Sequence, residues 1–141
     1  MTASGIAGTG LKATAIAVVA LLGFGAPAGS QPQHPLAMLD TLEPGLWELK
    51  QRDGGGTERV CLRDARRLIQ MRHAALNCER TIVDDEIGEV VVQYTCRGHG
   101  YGLTRIRRET TRLIQVESQG VSDGLPFVFD AEGRRIGACA A

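Results

Sequence analysis

Glu89-Val-Val-Val-Gln-Tyr-Thr-Cys96 is the densest run of β-branched residues in the chain and predicts a strand. Further strands are expected over 46–52, 57–62, 80–83, 103–109, 112–119, 126–129 and 134–139. Along the first of these, Leu46, Glu48 and Lys50 share one side, and Trp47 and Leu49 share the other. Turn and loop signals separate the runs: Asp53-Gly-Gly-Gly56, the acidic Asp84–Gly88, the Gly-rich 98–102, Thr110-Thr111, 120–124 and Asp130-Ala-Glu-Gly133. Helical spacing occurs once, from Asp64 to Leu76. There Asp64 can cap the start, Ala65, Leu68, Ile69, Arg72 and Leu76 form one stripe, and Asn77 can end the helix. About seven strands with short connections predict a mainly β (α+β) fold. It is an antiparallel meander, a curved sheet or partly open barrel, with one helix packed on it.

The first 28 residues follow a different pattern. They hold no acidic residue and one basic residue, Lys12, ahead of an apolar run from Ala13 to Gly25. A membrane span needs about 20 apolar residues, so this run fits the apolar core of a signal peptide instead. Ala26-Pro27-Ala28 supplies the small residues of a cleavage site, and cleavage after Ala28 is expected. No Cys lies near that site, which argues against a lipid-anchored protein. The polar, Pro-rich stretch 29–41 then reads as a flexible linker, and the domain as 42–141. Without Lys12 the chain carries 15 basic and 16 acidic residues, a net charge of −1. That argues against general nucleic-acid or anionic-membrane binding, and leaves no transmembrane anchor after cleavage.

Exported small domains use paired cysteines as disulfides, and all four cysteines (Cys61, Cys78, Cys96 and Cys139) fall in the domain. No C-x-x-C motif is present to suggest a zinc or redox site. Pairing Cys61 with Cys78 and Cys96 with Cys139 closes one structural unit each, for about 3 and about 4 kcal/mol. The first pair conflicts with the expected helix, whose ends lie roughly 20 Å apart.

Four segments also carry a family resemblance: Pro44-Gly-Leu-Trp-Glu48, Val60-Cys-Leu62, Tyr94-Thr-Cys96 and Gly133-Arg-Arg-Ile-Gly-Ala-Cys139. In order and spacing they resemble the bacterial domain of unknown function 3617, a family of small exported proteins. The resemblance implies a periplasmic setting and brings no activity, cofactor or catalytic residue. Family members often carry Met-rich or Gly-rich central strands, whereas this chain places Arg105, Arg107, Arg108 and Glu109 there.

No catalytic, cofactor or metal constellation stands out. His34, His73 and His99 are scattered, no G-x-S-x-G elbow or phosphate loop is present, and Asp84, Asp85 and Glu86 lack calcium-loop spacing. The weak ligand-binding candidates are His99 with Tyr101 in the Gly-rich loop, and Arg105 with Arg107 on one face of a strand. Against these stand a turn whose glycines serve geometry, and arginines that pair with Glu109, Glu117 or Asp123. The expectation is a non-enzymatic binding or envelope-associated protein, whose partner is an envelope protein or a small apolar ligand on the concave face of the sheet. The alternatives are an inhibitor presenting a Gly-rich loop, or a small hydrolase or isomerase using His99 and a carboxylate.

Overall fold

Trp47 and Leu49 are fully buried and Lys50 is exposed, so β1 (Gly45–Gln51) has one apolar side. It turns through Asp53–Gly56 into β2 (Thr57–Leu62). A 3₁₀ helix (Ala65–His73) leads to β3 (Glu79–Asp85), β4 (Glu89–Cys96), β5 (Gly100–Thr110), β6 (Leu113–Ser122) and β7 (Leu125–Gly137). This computed structural model describes residues 35–140, so the expected signal segment 1–28 and residues 29–34 of the expected linker lie outside the described residues. All neighbouring strands are antiparallel, in the order β2-β1-β7-β6-β5-β4-β3. The sheet is open, with β2 and β3 as its two edges.

One face carries the core. Val90, Val92 and Tyr94 on β4, Ile106 on β5, Ile114 and Val116 on β6, and Phe129 and Ala131 on β7 point into it. The 3₁₀ helix covers them with Ala65, Leu68 and Ile69. A short helix α1 (Ala37–Asp40) adds Met38 and Leu39 beside Leu36 and Leu42. Order therefore extends into the expected linker, over residues 35–41. Three apolar side chains buried there outweigh the freedom that the polar neighbours suggested.

The expected helix is shorter and tighter than its periodicity implied. Asp64 caps it as foreseen, its carboxylate accepting from the Arg66 N–H at 2.9 Å. Gln70, however, leaves helical geometry (φ −126°, ψ 45°). Its side-chain amide donates to the carbonyls of His73 (3.0 Å) and Leu76 (2.7 Å), and its oxygen accepts from Arg80 (2.7 Å). A side chain has taken over contacts that the helix backbone would otherwise make.

The disulfides correct the expected pairing: Cys61 joins Cys139, and Cys78 joins Cys96. Cys78 precedes β3 and Cys96 ends β4, and the Glu79–Thr95 register sets them side by side, with Cα atoms 4.3 Å apart. Cys61 pairs with Leu46, which pairs with Gly137, so Cys139 arrives beside it at 5.4 Å. Cys61 and Cys78 sit on opposite edges of the sheet and cannot meet. The sequence separations are 78 and 18 residues, and closing such loops contributes about 4.5 and 3 kcal/mol.

Of three loops expected from glycine content, two shrink to short turns and the third is strand. Only Arg97–His99 turns between β4 and β5, and β6 runs on to Ser122. Residues 126–139 form no hairpin, because β7 is paired on both sides, to β6 and to β1, through Asp130–Gly133. Gly133 is there for space: an added Cβ would lie 2.8 Å from both Leu49 and Ile114.

A chain of buried polar groups fixes the 3₁₀ helix to the sheet. The Thr104 hydroxyl donates to the Ile69 carbonyl (2.6 Å) and lies 2.7 Å from the Ser118 hydroxyl. His73, 4% exposed, sets Nε2 3.2 Å from the His99 carbonyl and Nδ1 3.2 Å from the Tyr94 hydroxyl. A carbonyl only accepts, so Nε2 carries the proton, and in the neutral ring Nδ1 accepts from the phenol. The Tyr94 ring lies over Gly102, where an added Cβ would come within 2.5 Å of its hydroxyl oxygen.

Three outcomes test this arrangement. Peptide mapping of the unreduced protein recovers Cys61 linked to Cys139 and Cys78 linked to Cys96; any Cys61–Cys78 peptide contradicts the topology. Gly102→Val pushes Tyr94 off its site and lowers stability by about 1–3 kcal/mol in urea unfolding; an unchanged midpoint contradicts the packing. Burial raises the Tyr94 pKa above its ordinary value of 10.0, against the opposing effects of Ser118 and the Arg72 charge. The folded phenol therefore holds its proton to higher pH than the unfolded one. Its contribution is intact below pH 10 and is lost as pH rises beyond it. Tyr94→Phe removes that part of the alkaline loss, and an identical profile of stability against pH argues against it.

Candidate functional site

The 3₁₀ helix and α1 pack on one face of the sheet, and the other face stays open. Alternation places Tyr101, Leu103, Arg105 and Arg107 of β5 on that open face, while Gly102, Thr104 and Ile106 point into the core. Two separate sequence candidates, Tyr101 and the Arg105/Arg107 pair, thus become one row of side chains. Across the strands, Gln93, Leu103, Gln119 and Val128 lie in register. Beside them run Tyr101, Val121 and Pro126, and on the other flank Val91, Arg105, Glu117 and Asp130.

Val91 and Gln115 are 4% and 7% exposed although no helix covers this face. Long neighbouring side chains shield them instead: Arg105, in register with Val91, reaches across to Glu89. Gln115 sits under polar neighbours: its oxygen accepts from Arg52, and its amide donates to Glu109 at 3.0 Å. Towards the β4–β5 turn the face becomes apolar. A depression of about 500 Å³ is lined there by Tyr101, Leu103, Val121, Pro126 and Val128, with Gln93 and Gln119. Tyr101 and Val128 remain 51% and 67% exposed. A second depression of about 300 Å³ shares Leu103, Gln119 and Val128 with the first and continues to Val91, Arg105, Glu117 and Asp130.

The charged end is mostly compensated. Arg105 pairs with Glu89, Arg107 with Glu109 at 3.4 Å, and Asp130 with Arg52. Glu109 was the expected partner of an arginine here; Glu117 and Asp123 were also expected and are not. Glu117 has no hydrogen-bond or ion-pair partner among the described residues.

His99 stands apart from this surface. Its Nδ1 lies 3.2 Å from the Asp123 carboxylate, and the Asp123 N–H donates to the His99 carbonyl at 2.8 Å. These contacts join the β4–β5 turn to the β6–β7 turn. Both side chains are more than half exposed, and His99 does not line the depression. It has the carboxylate partner that a catalytic reading requires, on the outer surface of a turn.

Leu103, Val121, Pro126 and Val128 were not singled out from the sequence. Their signal was the alternation itself. Val128 sits between Phe127 and Phe129, so once those face the core it must face outward. Among the described residues, no group of three or more His, Cys, Asp or Glu side chains is placed to hold a metal ion. No helix among them is long and apolar enough to cross a membrane.

The two disulfides make this a small β protein of a kind consistent with an extracytoplasmic location. No curated protein and no solved structure matches the chain. A family model does match it, over residues 42–139, from the first core strand to the last cysteine, and it includes the whole open face. The chain belongs to the family described as Protein of unknown function (DUF3617).

Proposed function

We propose that this is a non-enzymatic periplasmic binding protein that takes an apolar small molecule on the open face of its sheet. The observation that carries the reading is the depression of about 500 Å³ formed by Tyr101, Leu103, Val121, Pro126 and Val128. It lies within the volume range of small-molecule sites, about 300–1,000 Å³. Size also decides against a large partner. The apolar strip covers β4 to β7 and about four residues of each strand, roughly 14 Å by 14 Å. That is about 200 Å², well under the 800 Å² per partner of a stable protein interface.

The edges of the sheet support the face as the binding surface. Edge strand β3 carries a bulge between Ile82 and Asp84 and the charged side chains of Glu79, Arg80, Asp84 and Asp85. Such features discourage strand addition. The address rests on the apolar run 13–25 with the Ala26-Pro27-Ala28 site, and on the two disulfides.

Two measurements test the proposal. Protein recovered from the periplasm of a Gram-negative host begins at Gly29; retention of Met1 in the exported fraction contradicts the signal reading. An environment-sensitive apolar dye gains fluorescence on the purified domain. Leu103→Asp and Val128→Asp each weaken it at least about tenfold, as expected when roughly 1.5 kcal/mol of apolar contact is lost. Absence of dye binding, or binding that both variants leave unchanged, overturns the proposal.

A further inference from the structure

We infer that the ligand of the open face carries a single positive charge next to its apolar part, and that Glu117 receives that charge. The inference rests on the binding reading above and adds the chemical class of the ligand. The apolar depression runs without a break into the second one through Leu103, Gln119 and Val128. Beyond those residues it meets Arg105, Glu117 and Asp130 side by side on three adjacent strands.

These three charges are not equivalent. The Arg105 guanidinium is held by Glu89 on β4, and the Asp130 carboxylate by Arg52 from the β1–β2 turn. Each of the two charges is thus engaged by an opposite one. Glu117 remains, directly between Arg105 and Asp130, with no ionic partner of its own among the described residues. Arg105 with Glu89 and Asp130 with Arg52 each sum to zero, so this end of the trough carries one uncompensated negative charge. Glu117 stands opposite Arg105 across β5 and β6, whose guanidinium is already held by Glu89, and opposite Asp130 across β6 and β7, where two carboxylates repel. A cation seated there relieves that repulsion, and an anion adds to it.

The apolar floor supplies the second requirement. Val91 is buried at the β4 end of this row, and Leu103 and Val128 lie on its flank. A hydrated inorganic cation gains nothing from such a floor, whereas an alkyl ammonium covers it while its charge meets Glu117. Tyr101 lies further along the same row, about 14 Å from the level of Arg105. That reach fits an extended chain of roughly ten carbons lying along β5. The chemistry indicated is a cationic amphiphile with one amine or quaternary ammonium head.

The test compares decyltrimethylammonium, decanol and decanoate by isothermal titration at low ionic strength, below their aggregation thresholds. The cation is expected to bind most tightly and decanoate most weakly. Glu117→Gln should lower affinity for the cation about three- to fivefold, the range of a solvent-exposed ion pair. It should leave decanol binding unchanged, and Glu79→Gln, on the far edge strand, should change neither. Circular dichroism of each variant checks that it is folded. Equal affinity for all three probes, or a preference for decanoate, overturns the inference while the binding reading stands. A cation preference that survives Glu117→Gln also overturns it, because the charge is then received elsewhere. Absence of binding by every probe overturns both.

Discussion

A single crossing connection organises the β domain. Strand β2 ends at one edge of the sheet and β3 begins at the other, six strand spacings away, or about 29 Å along the sheet. Nine residues of 3₁₀ helix advance roughly 18 Å. Arg63 and Asp64 before it and residues 74–78 after it supply the rest of the distance. The crossing buries the apolar side of the central strands against one segment and leaves the opposite side uncovered. The covered face and the open face are two consequences of one constraint.

Holding the crossing segment down is the work of polar as well as apolar contacts. Leu68 and Ile69 bury their side chains against the sheet, while the Ile69 carbonyl receives a hydrogen bond from Thr104. His73 bridges the Tyr94 phenol and the backbone of the β4–β5 turn. Left unpaired, each such buried group would cost about 1–3 kcal/mol. Position is therefore specified more tightly than apolar burial alone would specify it. The disulfides act at the two ends of the same path, one near the departure from β2 and one at the arrival on β3.

Local pattern made part of this legible. The bounds of β2 and β4, the cap at Asp64 and the mainly β antiparallel class follow from residues close together in sequence. The failures share one cause, which is that distant pairing decided them. Gly133 looks like a hairpin glycine until Leu49 and Ile114 are seen to close over it. Gln70 and His73 look like polar residues on a solvent face, yet both are buried, because their partners come from β3, β4 and the β4–β5 turn. The cysteine pairing failed for the same reason: it assumed neighbours in sequence, and the sheet order separates Cys61 from Cys78 by its full width. For the candidate site, Tyr101, Arg105 and Arg107 could be named from sequence, but joining them into one surface required the register across β4 to β7.

The account makes the open face of the sheet, rather than the helix face or the turns, the surface that meets a ligand. Backbone amide shifts recorded by NMR during titration with an alkyl ammonium probe test this most directly. The predicted result is a set of perturbed amides confined to the middle of β4 to β7, centred on Leu103, Gln119 and Val128, with the amides of Ala65–His73 unmoved. Perturbations centred on the 3₁₀ helix or on the His99–Asp123 turns, with the strand amides unmoved, would contradict it.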